Sequence, residues 1–203
     1  LLGSPRTIED VDVVVPKDAV AAARTLLVAA SGHFTVDPRT RHTHYITSPA
    51  VEIEILSPPT LFQETFNLDT PTHSITIGDR SIRVLKPALI LNAKCRSILG
   101  RSNDEKKKTD AADITFLLWW LATNNAFPLA QEVPNASKEF VTWFIGKYGN
   151  AEYWTGARFN LKRGELSFPK SQLSKLMTPI YRFILSLQVR PRDRDFYLSR
   201  RAV

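Results

Sequence analysis

Long apolar runs, cysteine and glycine are all scarce in this chain of 203 residues. No stretch approaches the roughly 18 consecutive apolar residues that a membrane-spanning helix needs. The longest candidate, residues 114–122, is half that length. The single cysteine, Cys95, excludes an intramolecular disulfide and favours a reducing compartment. The opening residues show no secretory pattern, so the expected location is intracellular, cytoplasmic or nuclear. Eight glycines against thirteen prolines imply defined stops rather than flexible linkers. Acidic residues number 20 against 27 basic ones. The net charge of +7 and pI of about 9.7 point modestly towards polyanions such as nucleotides or nucleic acid.

What is present is an ordinary globular composition, 43% apolar, enough for one domain with an appended lobe. Residues 11–15 are valine-rich and predict a strand. Asp18 is placed to cap a helix over 19–31, which Gly32 can end. Short strand patterns follow at 34–36, 42–47 and 51–56, the last alternating Val51, Ile53 and Ile55 with Glu52 and Glu54. Pro58-Pro59 ends it. Residues 75–77 and 82–85, joined through Gly78-Asp79, predict a hairpin. Pro87 then opens a helix that runs to Gly100. Residues 101–108 look like a charged connector, and a strongly apolar helix follows. Helical patterns recur around SKEFVTWFIGKY and QLSKLMTPIYRFILSL, and a basic tail ends the chain. The expectation is an α+β fold, with a mixed domain over 1–124 and a helical lobe over 125–203.

Asp10 and Asp12 lie two apart on the first strand, hence about 6.6 Å apart and on one face. Glu52 and Glu54 repeat the arrangement on VEIEIL. Two acids from one strand and a third from another make a minimal oxygen cage for Mg²⁺, which takes a few carboxylates plus water and phosphate. Two such ions about 3.5–4 Å apart activate an attacking hydroxyl and stabilise a leaving pyrophosphate. The alternative is an antiparallel sheet with one solvated face, on which acids alternate without function. Val13-Val14-Val15 speaks against it, because an unbroken apolar run suggests burial on both faces, where carboxylates need a partner.

GSPRTIEDVDVVVP resembles the end of the first motif of the nucleotidyltransferase fold, "G-x-x-R-x-T-x-D-h-D-h". VEIEILSPPT resembles the later strand, "V-D-I-L-x-P-G", that carries the third acid. VLKPALILNAKCRSILGR and KKKTDAADITFLL resemble the helical segment "L-x-x-L-L-x-x-K-h-x-A" followed by "D-x-x-D-I-x-x-L". In order and spacing the three segments, over residues 1–122, are most similar to fungal nucleotidyltransferase-like proteins, distant relatives of abortive-infection nucleotidyltransferase toxins. The resemblance implies a small mixed sheet with flanking helices and then a helical lobe. It assigns Asp10, Asp12 and Glu54 as metal ligands and catalytic acids, with Glu52 as the fallback ligand. It also implies nucleotide contacts from Arg6, Thr7 and Lys94. Glu54 stands where the family more often has Asp. The family's phosphate-gripping glycine pair would precede Gly3, and a strand so near Leu1 adds to the expectation of an excised fragment.

Several of these residues carry a plainer alternative. Arg6 contacts a phosphate or holds Asp10, or is a solvated terminal arginine. Lys94 reaches phosphates or pairs with an acid of the next helix, or merely extends to solvent along an apolar face. Asp110 suits an N-cap and Asp113 a first turn. Yet their spacing also puts both on one face, where Lys94 can meet Asp113. Lys106, Lys107, Lys108 and residues 190–201 are solvated charge or a polyanion surface. His33, His42, His44 and His73 show no metal-site spacing. Trp119 and Trp120 belong to a helical core or to a base-stacking platform.

The resemblance implies transfer of a nucleoside monophosphate from a nucleoside triphosphate to a hydroxyl, with Mg²⁺ or Mn²⁺ as cofactor. The acceptor would be RNA, protein or a small molecule, with no membrane partner. The competing expectation is a non-catalytic binding or regulatory protein on the same fold, nucleic acid being its ligand.

Overall fold

The computed structural model describes residues 2–4, 10–59 and 66–167. Arg6, Thr7, the helical pattern within 172–187 and the basic residues of 190–201 lie outside the described residues. Strand β1, Asp10–Val14, lies parallel to β4, Val51–Leu56, with Asp10 opposite Glu52, Val11 opposite Ile53 and Asp12 opposite Glu54. Parallel neighbours need a crossover. It is supplied by helix α1, Val20–Ser31, and two short strands, β2 (Phe34–Val36) and β3 (Thr43–Tyr45). β3 runs antiparallel to both β2 and β4, so the sheet order is β1-β4-β3-β2.

Alternation divides this sheet into two chemically different faces. Ile53 and Ile55 are buried with Val15, and Val13, Val20, Ala23, Leu27 and Phe34 pack around them. Helix α1 thus covers the apolar face, and Arg24 Nε from it donates to the buried Thr43 Oγ1 at 3.3 Å. The acids stand on the other face, as a period of two requires. Burial is one-sided: Val13 and Val14 are half-buried, and Asp10, Asp12 and Glu54 are exposed. The valine run therefore does not enclose the acids, contrary to expectation.

Gly32 ends α1 at φ 65°, in the left-handed region that glycine enters without strain. The helix start differs from expectation. Ala19 is its N-cap without a side-chain hydrogen bond, and Asp18 has φ 65°, outside capping geometry. Strands β5 (Thr72–Ile77) and β6 (Arg80–Leu85) form the expected hairpin around Gly78-Asp79, with Gly78 at φ 62°.

A larger core is built from α2 (Pro87–Gly100), α3 (Asp104–Thr123), α4 (Lys138–Tyr148), α5 (Ala151–Gly156) and the two-residue strands β7 (Phe159–Asn160) and β8 (Glu165–Leu166). Helical spacing puts Ala88, Leu91, Cys95 and Ile98 on one stripe of α2, and Ala111, Ile114, Leu118 and Leu121 on one stripe of α3. Phe140, Phe144, Trp154 and Phe159 add a cluster of tilted and edge-on rings. The core thus draws residues from both sides of position 124. Among the described residues no helix is long and apolar enough to cross a membrane.

The β7–β8 turn closes with Gly164 N donating to Asn160 O, Gly164 having φ 76°. A Cβ there would come within 2.5 Å of Lys138 Cβ. Gly164→Ala should therefore destabilise the chain by about 2 kcal/mol, from the left-handed backbone and the clash with α4 together. Chemical denaturation of the two chains checks this. A change below about 0.5 kcal/mol would mean that the turn shifts without cost.

Candidate metal centre and adjoining cleft

The parallel register carries Asp12 beside Glu54, and Asp10 projects from the same face two residues earlier. One carboxylate oxygen from each of Asp10, Asp12 and Glu54 lies within 4.8 Å of the other two. Three hard oxygen donors from two strands are the donor set that Mg²⁺ or Mn²⁺ accepts, with water and phosphate filling the remaining positions. The residues present fit such a cation.

Electrostatics give the same picture. Crowding by protein, then the charge of Asp10, push the Asp12 carboxyl above its ordinary range, outweighing a hydrogen bond with Glu54 and the charge of Lys94. Glu54 is raised too, by desolvation, then by Asp12 as a charge and hydrogen-bond partner, then by Asp10 and Glu52. Asp12 raises Glu54 because neighbouring carboxylates resist simultaneous ionisation. A divalent cation would remove that penalty.

Glu52 lies outside this cluster. His42 Nδ1 stands 2.6 Å from its Oε1, and His44 is its cross-strand neighbour on β3. Its remaining influence is a repulsion felt at Glu54.

Lys94 is not a lysine reaching idly for solvent. Its Nζ lies 3.0 Å from Asp110 Oδ1 and 2.8 Å from Asp113 Oδ2. Burial alone would lower its pKa, but the two acids outweigh burial and raise it. Asp110 has a different place from the cap expected of it. Helix α3 starts at Asp104, with Asn103 Oδ1 accepting from Glu105 N at 2.8 Å and Lys106 N at 3.2 Å. Asp110 is therefore inside the helix, and its side chain is only 3% exposed. It accepts from Lys94, from Ser97 Oγ at 2.9 Å and from Arg101 Nε at 3.0 Å. Burial would raise its pKa, but Lys94, Arg101 and Ser97 hold it below the usual range. A buried carboxylate satisfied by three donors ties α2 to α3.

Lys106, Lys107 and Lys108 are likewise helical rather than connector residues. Lys107 pairs with Asp104 at 3.5 Å and Lys108 with Glu105 at 2.7 Å, on an exposed face. Such pairs add little. The Cys95 thiol is fully buried, and burial pushes its pKa up, which makes it an inert core residue.

Beside the charged network opens a cleft of about 790 Å³, whose walls include Phe116, Trp119, Tyr148 and Tyr153. Asp113 lies on its rim, so the partner of Lys94 also faces the cleft. Lys94 in turn acts electrostatically on Asp12. The two tryptophans divide as adjacent helical positions must. Trp120 is buried in the core, and Trp119 is 46% exposed on the cleft side. Ser97, Arg101, Tyr148, Asn150 and Tyr153 were not marked by the sequence pattern. The one available signal was the Trp119-Trp120 pair, since residues about 100° apart on a helix cannot both enter one core.

A crystal structure described as that of an antigenic nucleotidyltransferase-like protein from Paracoccidioides brasiliensis superposes with a TM-score of 0.52. The match spans 76% of this chain and 77% of that chain, at 19% sequence identity. No family model matches, and no curated protein does. Likeness at this identity speaks for the fold, which is nucleotidyltransferase-like: a small mixed sheet with flanking helices, followed by a helical lobe.

Proposed function

We propose that the chain is a metal-dependent nucleotidyltransferase that moves a nucleoside monophosphate from a nucleoside triphosphate to a hydroxyl on RNA, protein or a small molecule. The observation that carries this is the convergence of Asp10, Asp12 and Glu54 on one face of a nucleotidyltransferase-like sheet. These three would hold Mg²⁺ or Mn²⁺. When bound, the cation supplies charge neutralisation for the triphosphate and acidifies the attacking hydroxyl. Asp12 and Glu54, both raised by crowding and by neighbouring carboxylate charge, would release that strain to a bound cation. Lys94, fixed by Asp110 and Asp113, sets a positive charge whose influence reaches Asp12. Arg6 and Thr7 would contact phosphate, as the motif implies. The lone buried cysteine accords with an intracellular place of action.

The net charge of +7 favours a second reading, a non-catalytic polyanion-binding or regulatory protein on this fold. One experiment separates the two. The full chain is incubated with labelled nucleoside triphosphates and Mg²⁺, alongside Asp10→Ala/Asp12→Ala. Label transfer that disappears in the double variant supports the enzyme. Equal labelling by both chains, or metal-free, salt-sensitive polyanion binding without transfer, overturns it.

A further inference from the structure

We infer that the aromatic-walled cleft is a base-binding site, taking the planar heteroaromatic ring of a nucleotide whose phosphate end faces the acid cluster. The placement of the phosphates rests on the function proposed above; the ring site itself stands on the cleft.

Its size falls within the range of roughly 300–1,000 Å³ usual for small-molecule sites. Its walls come from two sides. Phe116 and Trp119 line it from α3, their ring centroids 5.8 Å apart, while Tyr148 and Tyr153 line it from α4 and α5. Trp119 is half exposed, although Leu117, Leu118, Trp120 and Leu121 beside it are buried. An indole left open beside a phenyl ring is a stacking surface, and stacking suits any flat heterocycle. Ala111 and Ala112 keep the intervening wall low, so that a ring can lie against it.

Polar features distinguish this cleft from a greasy slot. The Tyr148 hydroxyl is buried and has no hydrogen-bond partner among the described residues. A buried polar group without a partner is costly and uncommon in a native structure. Protein covers the oxygen, so the ring has to turn towards the cleft before a ring nitrogen or exocyclic group of a bound base can satisfy it. Asn150, on the same wall, is held by its Nδ2 donating to Thr115 Oγ1 at 3.2 Å. A fixed amide beside an unsatisfied phenol suits the edge of a base better than a lipid chain. A purine, with more area to stack, should be preferred to a pyrimidine.

The cleft is linked to the acids through one ion pair. Asp113 lines it and holds Lys94, whose charge is felt at Asp12. Gly3 and Ser4, just ahead of β1, line it as well. A ligand spanning both would place its ring among the aromatics and its charged end near the carboxylates.

The full chain is tested by saturation-transfer NMR with adenosine and with uridine, without metal, and by calorimetry with Mg²⁺ and either ATP or inorganic tripolyphosphate. Adenosine should receive saturation, and uridine less. Trp119→Ala should weaken ATP by about ten-fold or more, consistent with loss of one stacked base, and leave tripolyphosphate unchanged. Tyr148→Phe keeps the packing and should weaken ATP about five-fold by removing only the hydroxyl. Continued adenosine binding by Asp10→Ala/Asp12→Ala would support the cleft whatever becomes of the metal site. No transfer to adenosine in the native chain overturns the inference. So does an unchanged ATP affinity in Trp119→Ala, or an equal loss of tripolyphosphate binding.

Discussion

Asp12→Asn should cut nucleotidyl transfer by about a thousand-fold, a loss of roughly 4 kcal/mol of transition-state stabilisation, and leave the chain folded. Asp12 is exposed, so the amide fits without a cavity. It also relieves the repulsion from Asp10 and Glu54, so lost activity would not reflect unfolding. The accompanying pH dependence has a definite sign. Asp12 and Glu54 are both raised in the folded chain. The folded state therefore binds protons more readily than the unfolded one. Stability falls as pH rises from the ordinary carboxylate range through the raised values, and then levels off. A cation bound by these carboxylates reverses this loss. Thermal melts of the native chain should show a Mg²⁺ stabilisation that grows as pH rises through the carboxylate range and is small in acid. Asp12→Asn should show little at any pH. A Mg²⁺ response that survives in the variant would place the cation elsewhere.

Asp110→Asn should be the most damaging single change among the described residues outside the apolar core, destabilising by about 3 kcal/mol. The carboxylate is buried and accepts from three side chains. An amide keeps the shape but presents an N–H to one of those donors and leaves Lys94 and Arg101 without their shared counter-charge. Both cations are partly exposed, at 28% and 41%. Water can therefore recover some of the loss, which puts the estimate at the lower end of about 3–5 kcal/mol for breaking a buried pair. The melting midpoint should fall by roughly 10 °C for a chain of this size. Here the pH sign is opposite to that of Asp12. The Asp110 carboxyl lies below the usual range, so its contribution is complete above the ordinary aspartate pKa and is lost as pH falls through the folded value. Native and variant melting curves should converge in acid. A midpoint within about 2 °C of the native one, less than about 1 kcal/mol here, would show that the helices do not depend on this carboxylate.

Strand alternation made the most important feature visible in advance. VEIEIL can bury isoleucines only by presenting its glutamates to the opposite face, and the two aspartates of the first strand obey the same period. Their meeting depended on parallel register, which no local pattern encodes. The start of α3 was obscured because a run of lysines looks like solvated connector, whereas Asn103 provides the actual capping chemistry. That shift in boundary moved Asp110 from a helix end to a buried interior position. The cleft was the least legible feature, since Trp119, Tyr148 and Tyr153 come together only when α3, α4 and α5 pack.

The sheet has a slender foundation. Its apolar side rests on three buried residues, Val15, Ile53 and Ile55, whereas the helices share a far larger interior. Strands so supported part more readily than the helices do, and their amides should exchange with solvent first. An ion gripped by Asp10 and Asp12 on one strand and Glu54 on the next would act as a clasp across that parallel seam. The cofactor would then be a structural fastener as well as a reagent, so that loading it hardens the very edge on which it works.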